Sequence, residues 1–536
     1  MTGFLLDQFE ILADAPGGVR RLRELILQLA VTGRLGTGDK GDEPISEYVG
    51  IKSRINTNIK KVKESTENSV KILSLPINWK WLLFANLLDL SSGIGFKADE
   101  YVNHGIRLFQ IANVTFGNTK WENLVYLPEN YIEKYPSLVL KEGDILLALN
   151  RPLLNGKIKV AKLKINDVPS ILYQRVGRLD LFFPEFSDYL LLYLQSPLFI
   201  NYIDSCLQGS DQPFINKSNI LSAQISLPPL AEQHRIVEKV DSLMALCDDL
   251  EAKQTQKHTH LVKLGTGSLN ALQQSTTEEE LIRWWGHLQT NFGLIFDCVE
   301  NVEALRQTIL QLAVTGRLGT GDDGDEDAHI YLNQISKNYN NCVSISSNLG
   351  NILPKKWAIS NFGSVTINRD SERIPISKDE RIHRKGEYDY YGASGVIDHV
   401  DSYLFDKPLL LIGEDGANLI NRSTPIAFIA HGKYWVNNHA HVIDTVDYQF
   451  MQYLEIFINS IDLKKYITGT AQPKMNQAKM NSIPINVPPF LEQSRIIEKV
   501  RGLMALCDQL ELIMEHRSKG SILLSNATVQ KIIETV

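Results

Sequence analysis

Few residues here have the types and spacing to do chemistry. Asn486-Val487-Pro488-Pro489-Phe490 has the outline of the Asn/Asp-Pro-Pro-aromatic motif used to methylate adenine N6, but Val487 stands where a carboxamide or carboxylate must hold the amino group. Leu227-Pro228-Pro229-Leu230 has neither acceptor nor aromatic, and no glycine-rich cofactor loop follows a strand near either motif. Methylation by this chain alone is therefore not expected. Glu414-Asp415 pairs two carboxylates, as acid–base or metal-dependent cleavage requires, but without a matching Lys or His motif the pair reads as a turn. His439 and His441 are two apart and would share one face of a strand, yet no third ligand follows at metal-binding spacing. No GxxxxGK[ST] loop is present, so a P-loop ATPase is excluded. Ser–His–Asp and Cys–His nucleophile motifs are also absent. The five cysteines (Cys206, Cys247, Cys298, Cys342 and Cys507) are odd in number and widely spaced, with no CxxC pair, and read as reduced, mostly buried thiols. The expectation is a chain without catalytic residues, metal or cofactor of its own.

Other side chains are suited to recognition. In Gly143–Asn166, Ile145, Leu147 and Leu149 alternate like a strand, and a loop follows with Asn150, Arg151, Asn155, Gly156 and Lys157. Lys159, Lys162 and Lys164 come next, with no acid from Ile145 to Asn166. Bases pair with phosphates, and Arg and Asn can bind guanine and adenine edges bidentately. The other reading is a solvated hairpin with incidental lysines. In Glu387–Ser423 and Phe428–Asp444, glycine-rich turns flank short apolar strands, and two loops concentrate Asn418, Asn421, Arg422, Lys433, Asn437, Asn438, His439 and His441. A fainter echo, Gly209, Gln212, Pro213 and Asn216 against Gly469, Gln472, Pro473 and Asn476, is either structural or reaches a DNA backbone.

The elements that must position these loops are repeated. ILQLAVTGRLGTGDKGDE (Ile26–Glu43) recurs at Ile309–Glu326, changed only where Lys40 becomes Asp323. LPPLAEQHRIVEKVDSLMALCDDLE (Leu227–Glu251) and VPPFLEQSRIIEKVRGLMALCDQLE (Val487–Glu511) share 17 of 25 positions. In the middle of the chain the PPxxEQ helix precedes an LQLAVTGRL helix; the second PPxxEQ helix finds its LQLAVTGRL partner only at the N-terminus. The chain thus reads as two similar units, circularly permuted, with pseudo-twofold symmetry. Pro228-Pro229 suits a helix start, and Glu232 lies near the positive end of that helix dipole. Ile236, Val240, Leu243, Cys247 and Leu250 form an a/d seam, as do Ile496, Val500, Leu503, Cys507 and Leu510. The seams pack near each other or against the LQLAVTGRL helices. Near-identity also covers Glu232, Gln233, Arg235, Glu238 and Lys239 against Glu492, Gln493, Arg495, Glu498 and Lys499. This face reads as exposed and its near-identity goes beyond core packing, so two copies of one partner can dock there; the plainer reading is a pair of ordinary helical hairpins.

The chain's 536 residues exceed one ordinary core, and 43% hydrophobic with 22% charged residues is a globular balance. The net charge of −7 argues against nucleic acid only as an average. Residues 75–229 hold 14 basic and 14 acidic side chains, and residues 351–490 hold 15 and 15, so the acidity lies elsewhere. No apolar run approaches the ~20 residues of a membrane span. The N-terminus carries acids where a secretory signal carries bases, so a cytoplasmic location is expected.

The order of variable segment, PPLAEQHRIVEKVDSL, variable segment and PPFLEQSRIIEKVRGL, with the loops RPLLNGKI and GEDGANL…FIAHGKYWVNNHAHVI, resembles the specificity subunits of Type I restriction-modification enzymes. The resemblance covers nearly the whole chain. It implies an α+β fold: two globular α/β target recognition domains separated by two long antiparallel conserved helices. The regions are 1–74 (an N-terminal arm with a conserved helix), 75–229 and 351–489 (the recognition domains), 230–350 (a central helical region) and 490–536 (a C-terminal helical region). It also implies that each domain reads half of a split target in double-stranded DNA. The helices then set the spacing and bind two modification subunits, to which restriction subunits add. S-adenosylmethionine, ATP and Mg belong to those partners. On this reading the DNA-facing candidates are the loop residues named above with Gln212, Asn216, Gln472 and Asn476, and the partner-facing ones are Glu232, Gln233, Arg235, Glu492, Gln493 and Arg495. The competing reading is a duplicated scaffold that binds only proteins. The arm before residue 75 departs from the family pattern; in it Ile51–Lys71 reads as a mobile linker, with a polar counterpart near Ser336–Asn351.

Overall fold

A computed structural model describes residues 12–46, 74–339, 353–469 and 472–535. The segment Ile51–Lys71 and most of Ser336–Asn351 lie outside the described residues. The chain divides into two compact units: Met1–Thr255 with Ser518–Val536, and Gln256–Arg517.

In the first unit the apolar run after Gly143 becomes the middle strand, Ile145–Ala148, of a five-stranded sheet. Its neighbours, Val176–Leu181 and Val160–Lys162, are both antiparallel to it. The alternation of Ile145, Leu147 and Leu149 suggests a strand, and one forms there. All four of its residues are buried, because both faces are covered. Ile145 and Leu147 pack with Leu179, Phe186 and Tyr189, whereas Leu146 packs with Phe109, Ala161 and Leu172. A strand sealed on two sides is free to be apolar throughout. A second, four-stranded sheet lies in order Tyr126–Leu127, Ile106–Phe109, Ser170–Leu172, Val139–Leu140. The second unit has the same plan in a shorter form: Leu409–Gly413 lies between Ala440–Asp444 and Ala427–Ala430, and a three-stranded sheet centres on Lys385–Gly392. In each unit a two-stranded ribbon, Lys80–Leu83 with Gln224–Leu227 and Ala358–Asn361 with Pro484–Val487, joins the start of the variable segment to its end.

Four helices form the repeated frame: α1 (Gly18–Val31), α2 (Leu230–Gln274), α3 (Val299–Val314) and α4 (Phe490–Thr535). Of the two places open to the PPxxEQ seams, the LQLAVTGRL helices take them. Ile236, Val240 and Cys247 of α2 are buried in one core with Leu22, Leu25, Ile26 and Leu29 of α1. Ile496, Val500 and Cys507 of α4 share a core with Ile309, Leu312 and Ala313 of α3. Each such side chain, fully buried, contributes about 1.5–3 kcal/mol. Arg23 bridges Asp248 and Glu251 at 2.6 and 2.7 Å, and Arg306 repeats this with Asp508 and Glu511 at 2.8 and 2.9 Å.

The permutation is visible within the units. The far part of α4 belongs to the first unit, where Ile532 is buried, Val529 packs on the same core, and Arg21 donates to Asn526 at 3.0 Å. In the second unit the end of α2 fills that place: Leu269 and Leu272 are buried beside α3, and Gln273 donates to Thr308 at 2.8 Å.

Of the near-identical polar residues at the helix starts, Glu238, Glu498 and Lys499 are exposed, but Glu232, Gln233, Glu492 and Gln493 are buried and Arg235 and Arg495 partly so. Glu232 is 3% exposed, and its two carboxylate oxygens accept from Trp79 Nε1 (2.8 Å) and Thr37 Oγ1 (3.0 Å). Burial pushes its carboxyl up in spite of these donors. Gln233 donates to the Pro228 carbonyl at 3.0 Å, and Arg235 joins the Thr37 carbonyl to Asp42. Glu492 accepts from Trp357 (2.8 Å) and Thr320 (2.9 Å), Gln493 donates to Pro488, and Arg495 joins the Thr320 carbonyl to Asp325. These six residues, read from the sequence as partner-facing, hold the TGRLGTGD loop onto the long helix of their own unit. Gly33 (φ +73°) and Gly316 (φ +71°) complete the arrangement, since a Cβ on either would come within 2.4 Å of a proline ring carbon, Pro76 or Pro354.

Ile532→Ala removes a side chain that supports a core assembled mainly from residues 12–255. It should lower stability by about 2–4 kcal/mol, read by urea unfolding of the full chain. An unchanged midpoint would mean that this end of α4 does not support the first unit.

Candidate nucleic-acid interface

Three segments meet at one end of the middle strand in the first unit. Beyond Ala148, the Leu149 amide donates to the Arg175 carbonyl (2.9 Å), the Arg151 amide to Pro213 (2.6 Å), and the Ile215 amide to Leu149 (2.9 Å). The strand end, the residue opening strand Val176–Leu181 and the Gln-Pro loop are thereby clasped together. From this clasp a hairpin projects, with Leu153 paired to Ile158 and Leu154 to Lys157. Asn155-Gly156 turns it, both residues left-handed (φ +52° and +73°), as a tight two-residue hairpin requires. Arg151, Asn155, Lys157 and Gln212 are exposed, and Asn150, Lys159 and Asn216 are partly so. Lys157 lies over the Phe116 ring at 5.8 Å. Among the described residues, neither Arg151, Lys157 nor Lys159 has an acidic partner, whereas Lys162 is bound to Asp188 at 2.5 Å. At the hairpin and its base, three positive charges therefore stand without an acidic partner among the described residues.

The second unit repeats the clasp. The Glu414 amide donates to His439 (2.9 Å), the Gly416 amide to Pro473 (3.0 Å), and the Met475 amide to Glu414 (2.8 Å). The echo of glycine, glutamine, proline and asparagine thus has a structural basis. Pro213 and Pro473 supply the clasping carbonyls, and Gly209 and Gly469 both turn at φ +83°. Asn476 accepts from the Lys479 amide at 2.9 Å, and Asn216 donates to Gln208 at 3.0 Å. Gln212 and Gln472 remain exposed.

Behind the second clasp lies a buried charge cluster. His441 is 2% exposed, with Nδ1 on Asp370 (2.6 Å) and Nε2 on the Met475 carbonyl (2.9 Å). Glu414 accepts from Arg373 (2.9 Å) and Lys474 (3.0 Å). Burial alone would raise both carboxyls. For Asp370 the His441 bond and charge, Asn368 and the Val442 amide outweigh it; for Glu414, Arg373, Lys474 and the His441 charge do so; both end below their ordinary values. Glu414 thus belongs to a buried ionic network that anchors the loop, as well as to the turn expected there.

Not every residue expected to face DNA is brought to this surface. Lys433, Asn421, Asn438 and His439 are exposed, with Lys433 over the Tyr403 ring at 4.7 Å. His439 lies on Asp415 at 2.8 Å. Asn418 is partly exposed and held within its own loop, accepting from the Ser423 hydroxyl and the Thr424 amide. Asn437 is buried and caps the His439 amide at 2.8 Å. Arg422 is half-buried with its guanidinium on the Asn459 and Ile461 carbonyls, and burial lowers its pKa. In this structure Asn437, His441 and Arg422 serve the domain's own packing, because their partners lie inside it. Arg175 was missed: it is exposed at φ +69°, and only the fold brings it beside Leu149. No local sequence pattern marks it.

Two unlike surfaces on one repeated frame define a class of modular recognition protein, and similarity to known proteins says which. The family model described as Type I restriction modification DNA specificity domain matches residues 97–258 and again 354–512, well over half the chain. This chain belongs to that family. It is 42% identical over 188 residues to the type I restriction enzyme MjaVIII specificity subunit of Methanocaldococcus jannaschii, covering 35% of this chain and 44% of that protein. It is 32% identical over 268 residues to the EcoAI specificity subunit of Escherichia coli, covering 47% and 45%. Its match to the E. coli EcoEI specificity subunit is 26% identical and covers 95% and 93%. The chain thus spans less than half the length of the first two relatives and nearly all of the third. A solved chain from a study of type I R-M complex assembly and conformational transition shares the fold, with a TM-score of 0.50 at 14% identity over 86% of this chain and 98% of that one. The repeated family match favours the recognition reading over the protein-only scaffold.

Asp370 and Glu414 have depressed folded pKa values. Their stabilisation is fully present above the ordinary values of 3.8 and 4.5 and is lost as pH falls through the lowered folded ones. Urea unfolding should therefore show the second unit keeping this contribution from pH 7 down to about 4.5 and losing it as pH falls further, through and below 3.8, and Asp370→Asn should reduce that pH dependence. An equal pH dependence in the variant would exclude this cluster as its source.

Proposed function

We propose that this chain is the DNA sequence-specificity subunit of a type I restriction-modification complex. It reads a two-part target in double-stranded DNA, one half through each unit. The observation that carries the reading is the doubled specificity domain, in which one backbone clasp presents Asn150 and Arg151 in one copy and Asp415 and Gly416 in the other. Two unlike half-sites follow from two unlike surfaces.

The mechanism is binding and positioning. Exposed Lys157 and Lys159 engage phosphates and set register, while Arg151 and Asn150 reach base edges in a groove. The clasp holds the backbone that carries these side chains in a fixed place, so little backbone ordering entropy is lost when DNA binds. Two modification subunits dock on the helical frame and bring S-adenosylmethionine to adenine N6. Restriction subunits add ATP- and Mg-dependent translocation and cleavage, and the assembly works in the cytoplasm. Among the described residues no helix is long and apolar enough to cross a membrane.

Single-molecule sequencing of host DNA with and without this gene tests the proposal. A split adenine-methylated motif should vanish when the gene is removed and return with it. The complex should also lose DNA affinity steeply as salt rises, with a log–log slope of about −0.9 per phosphate contact. Retention of the motif in the deletion strain, or equal binding to every duplex at moderate salt, would sink the reading.

A further inference from the structure

The two clasps can be aligned atom for atom through their backbone bonds. Leu149 and Glu414 each donate to one carbonyl and accept from one amide, which matches Arg175 with His439, Ile215 with Met475, and Arg151 with Gly416. At this common place the two units differ in a telling way. Gly416 takes a left-handed backbone (φ +102°) that costs a glycine nothing. Arg151 takes a left-handed backbone at the same position (φ +46°), and Arg175 across the clasp takes another (φ +69°). For a residue with a Cβ that conformation carries a steric cost, because the Cβ crowds the following carbonyl oxygen. Apart from the backbone bonds of the clasp, no side-chain contact offsets this cost: among the described residues neither guanidinium has a hydrogen bond or ion pair, although Arg178 of the strand that follows Arg175 holds Asp180 at 2.7 Å. Strain of this kind, maintained without an internal partner, marks a side chain kept for something outside the fold.

We propose that Arg175 is a specificity-determining residue of the first unit and reads a guanine edge in its half-site. The inference rests on the DNA-reading function proposed above. Arg175 is exposed, adjoins Asn150 and Arg151, and presents the donor fork that matches guanine O6 and N7. In the second unit the matching place holds His439, whose Nδ1 is fixed by Asp415 at 2.8 Å while the ring is exposed. One site in the frame therefore carries a forked cation in one half and an oriented imidazole in the other. The two halves would then require different bases there.

The test uses the full chain assembled with the modification subunits encoded beside it, reading the methylated motif by single-molecule sequencing. Arg175→Asn is the suitable variant, because asparagine tolerates the left-handed backbone. One G·C position in one half-site should become degenerate, losing about 10–100-fold discrimination, while the other half-site stays intact and so reports that the subunit has folded and assembled. His439→Ala should relax the opposite half-site alone. An unchanged motif in R175N, or an even fall in methylation with the motif intact, as loss of a phosphate contact would give, overturns the assignment. Loss of methylation altogether is resolved by Arg175→Lys, which keeps charge but not the fork: a relaxed position supports the proposal, and a wild-type motif overturns it. A wild-type complex with no two-part motif would instead refute the underlying function, which makes the two failures distinguishable.

Discussion

The frame depends on a buried carboxylate at the start of each long helix. Removing a carboxylate from water is expensive unless every lone pair is met. Glu232 and Glu492 meet this demand in the same way, with an indole from the segment that opens the variable domain and a hydroxyl from the TGRLGTGD loop. Three distant pieces of chain thus converge on one side chain. Replacing any of them leaves a buried group unsatisfied, a loss of about 1–3 kcal/mol or more. The variable sheets can then differ freely, since they are joined to the frame by a two-stranded ribbon and this fixed point.

The same division of labour holds at the clasp. Its hydrogen bonds run between backbone atoms, so they do not depend on which side chains occupy the positions. Asn150 and Asp415, Arg151 and Gly416, or Arg175 and His439 can exchange chemistry without altering the joint. The second unit adds an ionic network beneath it, Asp370, His441, Glu414 and Arg373, where the first has an apolar filling under Ile145 and Leu147. A recognition surface is rebuilt more cheaply on such a joint than on one whose shape follows from its side chains.

Much of this frame was legible in the sequence, because duplication displays itself. The two repeats, their permuted order, the a/d seams and the apolar strand at Ile145 all correspond to described elements. That this strand is buried on both faces is not written in its alternation, because periodicity cannot show a second sheet packing from the other side. The polar residues beginning with Glu232 and Glu492 were misplaced for a related reason: whether a charged side chain is exposed depends on a partner such as Trp79, 153 residues away. Of the expected readers, the hairpin at Asn155 keeps its exposure, whereas Arg422, Asn437 and His441 are drawn inward by carbonyls, a backbone amide and a carboxylate that no local pattern predicts. Arg175 went unseen because its distinction is a dihedral angle and a long-range neighbour.

The packing of Val529 and Ile532 against a core that begins at Leu12 also orders events at the ribosome. The second unit has all its core residues once Cys507 has been translated. The first, though begun earlier, must wait for Val529 and Ile532 while part of its apolar surface lacks a cover. The order of synthesis and the order of completion are therefore reversed. In the interval, the half-finished unit is the part of the nascent chain most in need of protection from aggregation.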